Sequence, residues 1–219
     1  MLVGMSSTTA ASRKPNARSR QKRDSIARAV LDLVDELGHD RVTTALVAQR
    51  SGVAEATVLY HFPTKDHLLI AAQVLVDDET VAASVDGGIV SPETPFSAAS
   101  LREYDAVDDN RNRLYLMIKG MSSTPEHPAH AYYTARIERH VSMFATLIRG
   151  RIDDGSAHPD LDPEKAARQI IALWEGLAAM WVCDQTFSVG ELLEAGVRRI
   201  LGENVMALRG MITAPGSGL

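Results

Sequence analysis

The sequence predicts an all-α protein of about nine helices. Three observations carry this reading. Apolar residues recur at helical spacing along most of the chain, capping residues and glycines mark where those stripes begin and end, and no segment alternates like a strand. The 219 residues, 45% apolar and 23% charged, suffice for one large domain or two small ones with a real core.

From Arg20 to Leu37, the residues Ile26, Val30, Leu33, Val34 and Leu37 form one stripe that Gly38 closes. Thr43 is suited to cap a second helix carrying Leu46, Val47 and Ala48. Ser51-Gly52-Val53 makes a tight turn, and Glu55 to Phe62 gives a short helix before Pro63. Thr64 caps a fourth helix with Leu68, Leu69, Ala72, Leu75 and Val76 on one side. Asp86-Gly87-Gly88 to Pro95 reads as a loop, and helices are expected around 97–108 and 110–121. A long helix follows from His130 to Ile152. Asp162-Pro163-Glu164 combines a cap, a proline at the first position and an acid in the first turn, and starts a helix to about Val182. Ser188 and Glu191 form a capping box for a last helix, expected to reach Leu208.

The net charge of −5 argues against a polyanion partner only until it is divided. Residues 1–65 carry +4 and residues 66–219 carry −9, so only the front of the chain is suited to nucleic acid. The single Cys183 excludes a disulfide framework and is expected to be buried and structural. No uncharged apolar run nears the ~18 residues of a membrane span. The chain is therefore expected in the cytoplasm without a membrane partner. His127, His130, Glu126 and Glu138 lack metal-site spacing, so no metal and no cofactor are expected. No nucleophile elbow, P-loop or dinucleotide fingerprint points to an enzyme.

Thr43 to Lys65 reads as two short helices around a glycine turn, the helix-turn-helix arrangement. The run holding Leu37, Gly38, His39, Thr43, Thr44, Ala48, Gly52, Val53, Thr57, His61, Phe62, Lys65, Leu68 and Leu69 resembles the DNA-binding domain of the TetR family of bacterial transcription regulators. The Trp174-Glu175-Gly176-Leu177 stretch is similar to that family's penultimate helix. The resemblance implies a homodimer on a palindromic DNA operator, usually a repressor, released by a small molecule held in the helical body. It divides the chain into a disordered basic arm (1–18), a helix-turn-helix domain (19–66), a ligand-binding and dimerisation domain (67–212) and a tail (213–219).

Each DNA role has a physical basis. Thr44 and Lys65, at helix starts, are suited to phosphate. Thr57, Tyr60 and His61 offer donors along one helix, and Ala45, Glu55, Ala56 and Leu59 are candidates for base contacts. Arg18, Arg20, Lys22 and Arg23 could reach a minor groove or add phosphate contacts. Two positions depart from the family: Ala54 replaces the usual serine cap, and Leu59 stands where a tyrosine is usual, with Tyr60 one place later.

In the body, Met117, Met121, His130, Tyr133, Ile137, Phe144, Trp174 and Trp181 are candidates to line a site for an apolar or amphipathic effector. The last two helices are apolar on more than one face and are expected to pair with a second copy. Glu175 fits either the interior or that interface. The competing reading is a helical ligand-binding or interaction module whose DNA-binding head is vestigial.

Overall fold

A computed structural model of the chain describes residues 17–86 and 109–203. Among them are eight α-helices and one 3-10 turn, and no strand. The helices are α1 (Ala17–Leu37), α2 (Thr44–Ser51), α3 (Glu55–His61), α4 (Lys65–Asp86), α5 (Asp109–Met121), α6 (Pro128–Asp153), α7 (Pro163–Cys183) and α8 (Val189–Leu201), with the 3-10 turn at His39–Arg41. The helix expected at 97–108 lies outside the described residues.

Most boundaries follow from cap chemistry. The Thr43 hydroxyl accepts the Leu46 N–H, Asp162 accepts those of Glu164 and Lys165, and Ser188 accepts that of Glu191. Gly52 ends α2 at φ 68°, a left-handed conformation that costs a glycine almost nothing. Two boundaries differ from expectation. Helix α1 begins at Ala17, so Arg18, Arg20, Lys22 and Arg23 lie on its first turns and not on a free arm. Arginine, lysine and glutamine are good helix formers and nothing between Ala17 and Arg23 breaks the run. Helix α8 stops at Leu201, where Gly202 turns left-handed at φ 70° and its N–H closes on the Arg198 and Arg199 carbonyls. The rest of the stretch expected to reach Leu208 lies beyond the described residues.

Two apolar cores organise the molecule. One gathers the inner faces of α1 to α4 around Phe62, Ile26, Leu31 and Leu68 and extends to Leu114 and Ile118 of α5. The other joins α6, α7 and α8 through Ile148, Ile170, Leu193 and Leu201. Helices α7 and α8 cross closely at Gly196, where an added Cβ would fall 2.2 Å from Leu173 Cδ2. Polar clamps hold α5 against α1: Arg111 grips both carboxylate oxygens of Asp35 at 2.8 and 2.7 Å, and Asn110 donates to the Asp35 carbonyl at 3.0 Å.

Phe62 is fully buried and the Arg23 guanidinium lies 4.3 Å over its ring. Phe62→Ala is expected to lower the unfolding free energy by about 3–5 kcal/mol, measured by urea denaturation followed by circular dichroism.

Candidate functional site

The amino-terminal head is built to present one helix. Val58 of α3 is fully buried against the first core, which leaves the opposite side outward. On that side Tyr60 is 81% and Leu59 45% exposed, and Glu55 and Ala56 are exposed with Ala45 of α2. Single exposed apolar residues are ordinary; here two neighbours, Leu59 and Tyr60, stand outward on a helix anchored from behind. The Tyr60 ring meets the His61 ring edge-on at 5.2 Å.

The polar groups of the head are engaged with one another. Thr44, suited to a phosphate contact, donates its hydroxyl to Glu55, a candidate base contact, so the starts of α2 and α3 are tied together. Lys65 Nζ donates to the Asp40 carbonyl at 2.8 Å, holding the 3-10 turn against the start of α4. Ala54 supplies no side-chain cap to α3; the Thr57 and Val58 N–H groups donate to the Ala54 carbonyl, and Glu55 lies near the positive end of the helix dipole. Arg23 donates to the His61 carbonyl at 2.9 Å and stacks on Phe62, bracing the end of α3.

A second polar constellation lies inside the body, joining α4, α5, α6 and α7. Glu175 is 7% exposed. Its Oε1 accepts the hydroxyls of Tyr115 and Tyr133, the latter at 2.6 Å, and its Oε2 accepts Lys119 Nζ at 2.9 Å. Burial raises the Glu175 carboxyl, but those three hydrogen bonds outweigh it and hold the group below the ordinary carboxylate range. Burial pushes the Tyr115 and Tyr133 phenols up, so both stay protonated as donors. Arg136 Nε pairs with Asp77 at 3.1 and 3.2 Å, and its Nη1 donates to the Tyr115 hydroxyl at 3.2 Å. The guanidinium also lies over the Tyr115 and Trp174 rings, at 4.5 and 5.7 Å. Tyr132 donates to Asp77 at 2.6 Å and Gln73 does so at 3.2 Å.

The structure thus places Glu175 in the interior and divides the residues considered for an effector site. Tyr133 and Trp174 belong to the Glu175 constellation. Ile137, Phe144 and Trp181 pack against the second core, and Met117 against the first. Met121 and His130 are exposed, because α5 ends at Met121 and the turn after it carries the chain to the surface. There His130 Nδ1 donates to the Ser122 carbonyl at 2.8 Å. Cys183 is also exposed, since α7 ends on it outside the core. Sequence reasoning missed Arg136, Asp77, Gln73 and Lys119. Charged residues within amphipathic stripes read as solvated, and only their partners on other helices show that they are buried.

This fold and head define a helix-turn-helix DNA-binding transcription regulator. The family model described as "Bacterial regulatory proteins, tetR family" matches residues 26–72. The chain is 24% identical over 188 residues to the HTH-type transcriptional repressor KstR of Mycobacterium tuberculosis, covering 84% of this chain and 82% of that protein. A TetR transcription regulator from Haloarcula marismortui superposes with a TM-score of 0.69 at 20% identity, over 84% of this chain and 97% of that one. A regulator from Saccharomonospora viridis, solved in complex with choline, superposes with a TM-score of 0.60 at 20% identity, over 84% and 97% of the two chains. The match to that family's model is confined to the head, residues 26–72.

Two outcomes follow for the buried constellation. Arg136→Met leaves Asp77 charged without its partner and is expected to cost about 3–5 kcal/mol in urea unfolding, most of it recovered when Asp77→Leu is added. Burial, reinforced by Arg136 and Arg139 and opposed by the Arg136 carbonyl and Asp77, lowers the His140 imidazole pKa. The unfolded chain therefore takes up protons first as pH falls through about 6.5, and stability should drop there. Melting temperatures between pH 8 and pH 5 should show this fall, flattened in His140→Gln.

Proposed function

We propose that this protein is a repressor that binds a palindromic operator as a homodimer in the cytoplasm and leaves it when a small organic effector enters the body. The observation that carries the DNA reading is α3, fixed from behind by Val58 and outwardly displaying Leu59 and Tyr60. Thr44, Ala45, Glu55, Ala56, Thr57, His61 and Lys65 surround that face as phosphate and base contacts. The KstR relatives are repressors, which favours repression here. Exposed Met180 on α7 and Leu192 on α8 favour pairing of the last two helices with those of a second copy, which would set two heads on two half-sites. The choline complex of the Saccharomonospora viridis regulator favours a small-molecule effector in this architecture. In this chain the site would draw on Tyr133 and Trp174, with Met117, Ile137, Phe144 and Trp181 as its apolar surroundings.

The test is fluorescence anisotropy with a labelled duplex from the region upstream of the protein's own gene. Log affinity is expected to fall linearly with log salt concentration. Tyr60→Ala should weaken binding by about tenfold, a loss of the size of one good base or phosphate contact, with no change in melting temperature. A folded dimer that shows no salt-sensitive binding to that duplex would sink the reading.

A further inference from the structure

The body's polar constellation has two features that point to one ligand chemistry. The first is unequal attachment at Glu175. Its Oε1 is committed to two phenols from inside the bundle, whereas its Oε2 is held only by Lys119 among the described residues. The Lys119 side chain is 34% exposed against 9% for that of Glu175, so the ammonium reaches in from the surface on a flexible stem. Its departure to water leaves a buried carboxylate with one free acceptor, beside the rings of Tyr115, Tyr133 and Trp174. The Tyr115 and Tyr133 hydrogen bonds favour the ionised form of that carboxylate against the effect of burial. The second feature is Gln73, 3% exposed, whose Oε1 has no hydrogen-bond partner. Its amide cannot simply turn over, because its Nε2 donates to Asp77.

Both are acceptors: Gln73 Oε1 lacks a partner, and Glu175 Oε2 lacks one once Lys119 leaves. An entering carboxylate would meet Glu175 and Asp77 without a spare cation, since Arg136 is already paired with Asp77. A purely apolar molecule that displaced Lys119 would leave Glu175 buried and unpaired. We propose that the body binds a small organic primary amine whose ammonium replaces Lys119 on Glu175, with its apolar part against Tyr133 and Trp174. Lys119 then acts as a tethered occupant that keeps the carboxylate paired until the amine arrives. This rests on the effector reading above and names the chemistry of that site.

The experiment titrates hexylamine, hexanoate and hexanol into the full-length protein without DNA, following tryptophan fluorescence and checking by calorimetry. Hexylamine should bind, and hexanoate and hexanol should bind at least about tenfold more weakly. Lys119→Ala removes the competing ammonium and should tighten hexylamine at least about tenfold, the range of a hydrogen bond to a charged group. Glu175→Gln, with its fold checked by circular dichroism, should lose hexylamine binding in either background. Hexanoate bound in preference and lost in Lys119→Ala would overturn the proposal, as would no response to hexylamine in wild type and Lys119→Ala. A parallel titration of the operator complex separates the two readings. If hexylamine binds but DNA is not released, the amine site stands and effector control fails. If hexylamine fails to bind while another compound class releases the DNA, the amine site alone falls.

Discussion

The pairing of Asp77 with Arg136 is the contact on which the body depends. Both side chains are more than nine-tenths buried, and two charges at that depth are tolerable only while they hold each other. Each comes from a different helix, so the pair fixes how α4 lies against α6. Its remaining hydrogen-bonding capacity then dictates the neighbours. Tyr132 and Gln73 complete Asp77, and Tyr115 accepts a hydrogen bond from Arg136 and donates its own hydroxyl to Glu175. A carboxylate on α7 is thereby registered against one on α4 through a guanidinium and a phenol. Apolar packing alone would leave several near-equivalent registers among these helices, whereas a chain of obligatory hydrogen bonds admits few.

The head obeys the same rule at its edges. Its centre is apolar, and its polar groups serve to join elements: Thr44 to Glu55, Arg23 to the end of α3, Lys65 to the 3-10 turn. Arg111 on Asp35 extends that bracing into the body. Helix α3 is only seven residues long and lacks a side-chain cap. A helix so short is not stable alone, and its geometry is inherited from what it rests on.

What the sequence made legible was whatever depends on neighbours along the chain. Thr43, Asp162 and Ser188 act within three residues of themselves, so the helix starts they mark were readable directly. The buried stripe of α1 was readable for the same reason, since Ile26, Val30 and Val34 repeat with the helix. The constellation around Glu175 was not. Lys119 lies 56 residues from Glu175, and Arg136 lies 59 from Asp77. Nothing local tells a buried arginine from a solvated one. His130 and Met121 misled for the converse reason: their helical register suggested an inner lining, but they lie on either side of a surface turn.

Helix α4 belongs to both halves of the molecule. Leu68, Leu69 and Ala72 sit in the core of the head, while the next residue, Gln73, and Asp77 one turn beyond it are tied into the body. Its 22 residues make a rod about 33 Å long. On a rod of that length, a tilt of about 5° about one end carries the other through about 3 Å, comparable with the length of a hydrogen bond. A rearrangement at Asp77 too small to disturb the packing around it is thus magnified geometrically before it reaches Lys65.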